Sequence, residues 1–415
     1  MIPERTARRA ILALLEHRTR HGELELHEPD GTVHRFGAVD PHAPLRARLD
    51  VHDAATWRGL LRGSLGLGET FAAGAWSSPD LVGLIRLAAR NADQFDALRR
   101  RARPVLAPAR GLTSWARRNT PGRSRRQIAA HYDLGNDLYR LFLDETLMYS
   151  AAVFERPDAT LHEAQLAKLD RICRKLQLGP NDHLLEIGTG WGAMAVHAAR
   201  EYGCRVTTTT ISAEQHAVAV ERVRAAGLED RVTVLLEDYR HLTGTYDKLV
   251  SIEMIEAVGW RDFGTYFEAC SELLTPDGLM LLQAITIDER SYEAEKASKS
   301  FINQLIFPGG CLPSQEVIAR SVRRETDLRV VQLEDITGHY VRTLRAWREN
   351  FRAAEREVEQ LGYDERFRRL WTLSLAYCEA GFAERRIHDV QMLLAKPRFR
   401  DEPLALMQAG TALAA

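Results

Sequence analysis

The stretch "HLLEIGTGWG", residues 183–192, reads as an apolar strand that runs straight into a glycine-rich turn and then opens a helix. Glycine lets a backbone turn sharply and approach a ligand closely. The spacing Gly188, Gly190, Gly192 is G-x-G-x-G. It is not the G-x-G-x-x-G of dinucleotide sites, and no lysine follows as a phosphate-binding P-loop needs. A phosphate cradle is therefore disfavoured.

Working outward, the same rhythm repeats. A helix (LHEAQLAKLDRICRKLQL) precedes the strand, and a helix over 191–202 follows it. Next come a Thr-rich strand (CRVTTTTIS), a helix over 213–226, and the strands RVTVLLED and KLVSIEM. A helix over 262–274 and the turn Thr275-Pro276-Asp277-Gly278 lead into LMLLQAITI. Strands alternating with helices predict βαβ units and a parallel sheet, so the fold class is α/β. From 315 to 395 helical patterns rich in Arg and Glu predominate, with a strand-like LRVVQLEDI among them.

The 415 residues are comfortable for two domains, and 27% charged with 45% hydrophobic residues is ordinary for a globular protein. A formal net charge of −1 supplies no global field that drives the chain onto nucleic acid. Five cysteines, odd in number and without CxxC spacing, predict reduced thiols in a cytosolic setting and argue against a zinc site. The N-terminus lacks the pattern of a signal peptide. No run of about 18 apolar residues occurs, so any membrane contact is expected to be peripheral.

One local imbalance stands out. No acidic residue occurs between Asp96 and Asp133, while arginines crowd positions 99–101, 103, 110, 117, 118, 123, 125 and 126, with Trp115 among them. Two readings stay open here and can hold together, a solvated interdomain linker and a surface that meets anionic lipid; nucleic-acid binding is a weaker third, because no recognised motif accompanies the arginines. Residues 1–123 are read as a small α+β unit plus this linker, 124–400 as the main domain and 401–415 as a tail.

E-x-G-x-G-x-G after a first strand resembles motif I of class I S-adenosylmethionine (AdoMet) methyltransferases. "LLEDYRHL" and "LTPDGLMLL" stand where that family has its third strand end and late turn. A closer resemblance is carried by "SRRQIAAHYDLGNDLYRLFLDETLMYSAAVFE", "TISAEQ", "IEMIEAVGW", "IFPGGCLPS" and "YCEAGF". Together, over about residues 124–395, these resemble the cyclopropane fatty-acyl synthase family. The resemblance implies a Rossmann-like, mostly parallel seven-stranded sheet with helical insertions. It implies AdoMet contacts from Tyr149, Ser150, Glu186, Gly188, Gly190 and Gly192, with Thr210 and Gln215 at the ribose side and Glu237 and Asp238 at the adenine end. Tyr132 falls on a family tyrosine near the active site.

That family transfers a methyl group to carbon. An isolated double bond is a poor nucleophile, so alignment with the methyl–sulfur axis must supply much of the acceleration. The resulting carbocation requires a dry pocket, aromatic faces and one base. Tyr132, Phe301, Phe307 and Tyr340 are candidate faces, with core packing an equal reading for the two phenylalanines. The family's base is a bound bicarbonate, and the resemblance places Glu256, Tyr340 and the region of Ala151 around it. The family's late cysteine matches Cys378, for which a small buried structural role is an equal reading.

Two departures matter. Ala151 replaces the cysteine of the family's Y-S-C motif, and Gln283 stands where many members have histidine. A backbone N–H at 151 can still serve an anion, and Gln283 can donate a hydrogen bond but cannot take up a proton. Either bicarbonate is bound differently or another group, such as Glu256, is the base. Glu253 is read as lying near the cofactor or as a solvated helix-start residue. The wording MYSAAVF, EMIEAVG and LLQAI resembles the methylene-forming branch that makes methyl-branched lipids. The expected product is therefore a methylene fatty acyl chain of membrane phospholipid, with a cyclopropane as the alternative. A non-catalytic lipid-binding protein is the rival of another class. Further expectations are a peripheral position at the inner membrane face, no nucleic acid, a homodimer left open, and a separate reductase acting on the product.

Overall fold

The structure, a computed structural model, describes residues 3–92, 135–296 and 300–400. Tyr132, the arginine stretch and the 401–415 tail lie outside the described residues. The chain forms two compact units: Met1–Arg118 with Ser298–Pro308 and Leu344–Arg386, and Asn119–Ala297 with Gly309–Thr343 and Ile387–Ala415. Residues 298–308 and 344–386, which a linear reading assigns to the main domain, thus pack in the unit that holds the N-terminus.

In the first unit, strands β1 (Gly22–His27), β2 (Val33–Ala38), β3 (Arg46–Val51) and β4 (Trp76–Ser77) form a sheet in the order β2-β1-β3-β4. The β1–β2 hairpin turns at Asp30-Gly31, where Gly31 has φ +86°. Helices α1 (Glu4–Arg18), α2 (Ala55–Leu61), α3 (Gly63–Ala72) and α4 (Leu81–Arg90) surround it. Asp80 caps α4 by accepting the Gly83 N–H. The later helix Glu365–Ala383 packs on α3 and α4. Arg369 on it donates to the Phe71 and Trp76 carbonyls, while Glu384 just beyond it accepts from Arg86 and Arg90.

The second unit holds a seven-stranded sheet in the order β10-β11-β9-β8-β5-β6-β7. Its strands are β5 (His183–Ile187), β6 (Arg205–Thr210), β7 (Val232–Leu236), β8 (Tyr246–Ile252), β9 (Leu274–Ile287), β10 (Arg329–Asp335) and β11 (Ile387–Ala395). From β9 to β7 the pairing is parallel, and β11 runs antiparallel to both β9 and β10. Helices α5 (Asn136–Phe142), α6 (Leu161–Lys175), α7 (Ala193–Tyr202), α8 (Ala213–Ala225), α9 (Phe263–Glu272), α10 (Glu289–Lys296), α11 (Gln315–Glu325) and α12 (Thr337–Ala353) complete it; α12 continues into the first unit. The α/β class and the mostly parallel sheet agree with the alternation in the sequence. One stretch differs: residues 387–395, within a region of helical patterns, form a strand buried between two others. Burial on both faces removes the alternation that marks a half-exposed strand.

The strand order reverses between β5 and β8, and the crevice outside the carboxyl ends of strands at such a point is where open α/β sheets hold ligands. No helix among the described residues is long and apolar enough to cross a membrane.

Candidate active site

The glycine loop leaves β5 at that reversal. Gly188, Gly190 and Gly192 have φ of +103°, +51° and +87°, conformations that L side chains rarely adopt. The Gly188 and Thr189 N–H groups both donate to the Thr209 carbonyl, which ties the loop to the end of β6. A Cβ on Gly192 would meet the Ala219 Cβ at 3.1 Å, so this glycine lets the start of α7 approach α8 closely. A Cβ on Gly190 would meet nothing within 4 Å. The loop therefore borders open space, as a cradle for AdoMet requires.

The residues assigned to AdoMet gather at these strand ends. Glu186 is buried and accepts the Thr208 hydroxyl at 2.6 Å; burial pushes its carboxyl up to about 8. Thr210 donates to Gln215 Oε1 at 2.9 Å. Asp238 is committed to Arg240 and caps the short turn after β7, and Glu237 beside it is half-buried. Tyr149 packs edge-on against Tyr139, which in turn packs against Trp191 of the glycine loop. Ser150 is buried and accepts the Lys168 ammonium at 2.6 Å.

Beside the loop, where a Cβ on Gly188 would touch the Met254 side chain at 3.3 Å, lies a cluster of acids. Its centre is Glu253, not Glu256. Glu253 Oε1 accepts the Ala151 N–H and the Gln283 Nε2 at 2.8 Å each, and Oε2 accepts the Tyr340 hydroxyl at 2.6 Å. The residue has φ +47°, in the left-handed region, yet stays partly accessible. Burial pushes its carboxyl up, opposed by the Tyr340, Ala151 and Gln283 hydrogen bonds and by the Lys168 charge. Asp389 on β11 lies within hydrogen-bond reach, and burial, then the Glu253 and Glu256 charges, hold its carboxyl well above the usual range. Lys168, fully buried, is pushed down to about 8 by its burial.

A polar row crosses three strands to reach this point. Glu334 on β10 faces Gln391 on β11, which faces Gln283 on β9. Lys175 bridges Glu334 and Gln391 Oε1, and Gln391 Nε2 donates to Gln283 Oε1 at 3.1 Å. That last bond turns the Gln283 amide so that its nitrogen points at Glu253 and Asp389.

Ala151, Gln283 and Tyr340 are thus brought together, and the backbone N–H at 151 donates to the Glu253 carboxyl. Glu256 stands to one side. Its Oε1 accepts the Ile285 N–H at 2.5 Å, its Oε2 is buried without a hydrogen bond, and burial pushes it up to about 8. Cys378, Phe301 and Phe307 belong to the first unit. Burial pushes the Cys378 thiol up to about 12, against a thiolate role, and Phe301 packs against Tyr377. Glu253 as a solvated residue is not what the structure shows, and Lys168, Asp389 and Gln391 went unread. Lys168 had a signal: it follows Leu161 and Gln165 and precedes Ile172 on the apolar face of α6, where a lysine needs a partner.

The family model "Mycolic acid cyclopropane synthetase" matches residues 119–392. A tuberculostearic acid methyltransferase of Mycobacterium tuberculosis is 40% identical over 89% of this chain and 87% of its own length. The cyclopropane-fatty-acyl-phospholipid synthase of Escherichia coli is 37% identical over 86% of this chain and 90% of its own. Among solved structures, a mycolic acid cyclopropane synthase complexed with SAH and CTAB matches with a TM-score of 0.61 and 32% identity, over 66% of this chain and 98% of that one.

Proposed function

This chain belongs to the mycolic acid cyclopropane synthetase family and is an AdoMet-dependent C-methyltransferase; from that premise we propose that it methylates the cis double bond of an unsaturated fatty acyl chain in phospholipid and releases a methylene-bearing chain. The observation that carries the reading is a pair of acids, Glu253 and Asp389, that share the Gln283 amide as donor and are set against the glycine loop that would hold the methyl donor. A C-methylation that ends in proton loss needs those two features side by side.

AdoMet supplies a methyl group on a cationic sulfur, which the alkene attacks. Gly188 and Gly190 would give its methionine end room, Thr210 and Gln215 would meet the ribose, and Glu237 the adenine end. Tyr149 and the backbone around Ser150 would close the near wall. Tyr340 presents a ring beside the site as well as its hydroxyl, and ring faces stabilise a passing cation. Lys168 and Asp389 set the charge around Glu253.

The methylene product is favoured over the cyclopropane by the greater identity to the tuberculostearic acid methyltransferase, 40% against 37%. A reductase that adds hydride and proton would be the class of reaction to consume it. The arginine stretch supports a peripheral place on an anionic membrane. The test is to incubate the protein with AdoMet and oleoyl-phospholipid vesicles and analyse the fatty esters by mass spectrometry. A cyclopropane ester overturns the methylene reading, and an inert protein overturns both.

A further inference from the structure

The resemblance implies a bound bicarbonate as base, and the residues at its expected place do not fit one. Three donors would hold such an anion: the Ala151 N–H, the Gln283 amide and the Tyr340 hydroxyl. All three already donate to a carboxylate of the chain itself, that of Glu253, at 2.8, 2.8 and 2.6 Å. A second anion would have to displace that carboxylate or lie against its charge, where the low local dielectric strengthens repulsion.

We propose that Glu253 is the general base of this enzyme: its carboxylate takes the proton from the newly attached methyl group, and no dissolved anion is required. This rests on the methyl-transfer reading above. The alkene π pair forms the bond to the methyl carbon as the methyl–sulfur bond breaks, its electrons remaining on sulfur. The adjacent alkene carbon is left cationic, and a hydride moves to it from the methyl-bearing carbon. One methyl C–H bond then breaks; its electron pair closes the exocyclic double bond, and the proton goes to a Glu253 oxygen. Glu253 finally passes the proton to water once the product has left.

The surroundings agree with that role. Among the described residues, Asp389, Glu256, Lys168 and Tyr340 are ionisable groups around Glu253. Burial pushes the carboxyls of Asp389, Glu256 and Glu253 all upward, and at Glu253 the three donors and the Lys168 ammonium oppose that rise. The left-handed backbone at φ +47° is a strained conformation for a residue with a side chain, and strain of this kind collects at functional positions.

The experiment has two arms on the full chain. The first needs no lipid: isotopically labelled bicarbonate is titrated and its carbon NMR line width followed. Wild type should not broaden it, whereas Glu253→Gly, which frees the three donors in a backbone conformation glycine accepts, should. Bicarbonate binding to wild type at the same donors overturns the proposal. In the second arm, turnover on oleoyl-phospholipid vesicles is measured in carbonate-free buffer under argon. Wild type should keep its rate within about twofold on addition of bicarbonate. Glu253→Gln should lose about 100-fold or more in kcat with AdoMet affinity retained, as removal of a general base does. Added bicarbonate should partly restore Glu253→Gly in a saturable way. A wild-type rate that collapses without bicarbonate, or a Glu253→Gln enzyme at full speed, overturns the proposal. If Glu253→Gln does not fold, the wild-type bicarbonate dependence decides. A wild type inert on oleoyl vesicles overturns the substrate reading instead, and the binding arm then decides the site.

Discussion

Gln391 stands directly across from Gln283 in the β9–β11 ladder, and its amide donates to the Gln283 oxygen at 3.1 Å. The pair decides which end of the Gln283 amide faces the acids. Gln391→Met keeps the volume and removes the bond, so the Gln283 amide loses its fixed orientation. The expected result is a roughly tenfold fall in kcat with KM little changed, and a stability loss of about 1–3 kcal/mol from the buried groups left unpaired. Steady-state kinetics and urea unfolding read both.

Glu256→Gln should be mild. Burial and the neighbouring Glu253 charge push the Glu256 carboxyl up to about 8, so at neutral pH it is already mostly the uncharged group that glutamine imitates. Less than about a tenfold loss in kcat is expected, well short of the loss at Glu253, since no general base is removed. A loss equal to that of Glu253→Gln would move the base to Glu256.

Two glycines of one loop should fail in different ways. Gly190→Ala places its methyl in open space, so the fold survives at a cost of about 1–2 kcal/mol for the left-handed backbone, while AdoMet affinity drops. Gly192→Ala instead drives a methyl to 3.1 Å from Ala219 and should lower the melting temperature more. Calorimetric titration alongside thermal melts separates the two. Equal losses of affinity and stability in both variants would contradict the assignment.

Glu186 makes a pH prediction with a definite sign. Its carboxyl is pushed from its ordinary 4.5 up to about 8 by burial, so across that window the folded chain binds more protons than the unfolded one. The Glu186 contribution is therefore fully present below pH 4.5 and lost as pH rises through about 8. In Glu186→Gln this part of the fall should vanish, on the order of 3–5 kcal/mol. Urea midpoints at pH 5 and pH 8 for both proteins measure it.

Neutralising Arg99, Arg100 and Arg101 should weaken sedimentation with anionic vesicles at low salt by about 1 kcal/mol per charge near the surface. Binding that does not change would reduce that stretch to a linker.

The fold was largely legible because β5 to β9 announce themselves by alternation with helices and by a glycine loop at the end of the first apolar strand. Thr210, Gln215 and Ala151 were singled out from motifs in the same way, and the structure pairs Thr210 with Gln215 and sets the Ala151 N–H on Glu253. Glu253 was visible as a residue but not as a centre. Its role depends on a backbone at φ +47° and on donors 30 and more residues away, which no local pattern encodes. The Glu334–Gln391–Gln283 row needs the register of an antiparallel strand whose pattern is hidden by burial on both faces. Packing of 344–386 with the N-terminal residues is likewise a matter of long-range partners such as Arg369 with Phe71.

β11 is the last described strand in the chain, yet it lies between β9 and β10, both of which are made before it. During synthesis, then, two strand edges wait unpaired, and open edges of that kind invite wrong partners. Asp389 and Gln391 arrive on the strand that closes the gap. Completing the sheet and wiring the acid cluster are consequently one event. A nascent chain halted before residue 387 would carry the glycine loop without Asp389 or Gln391 behind Glu253. The fold thus leaves the proposed base site incomplete until its sheet is whole.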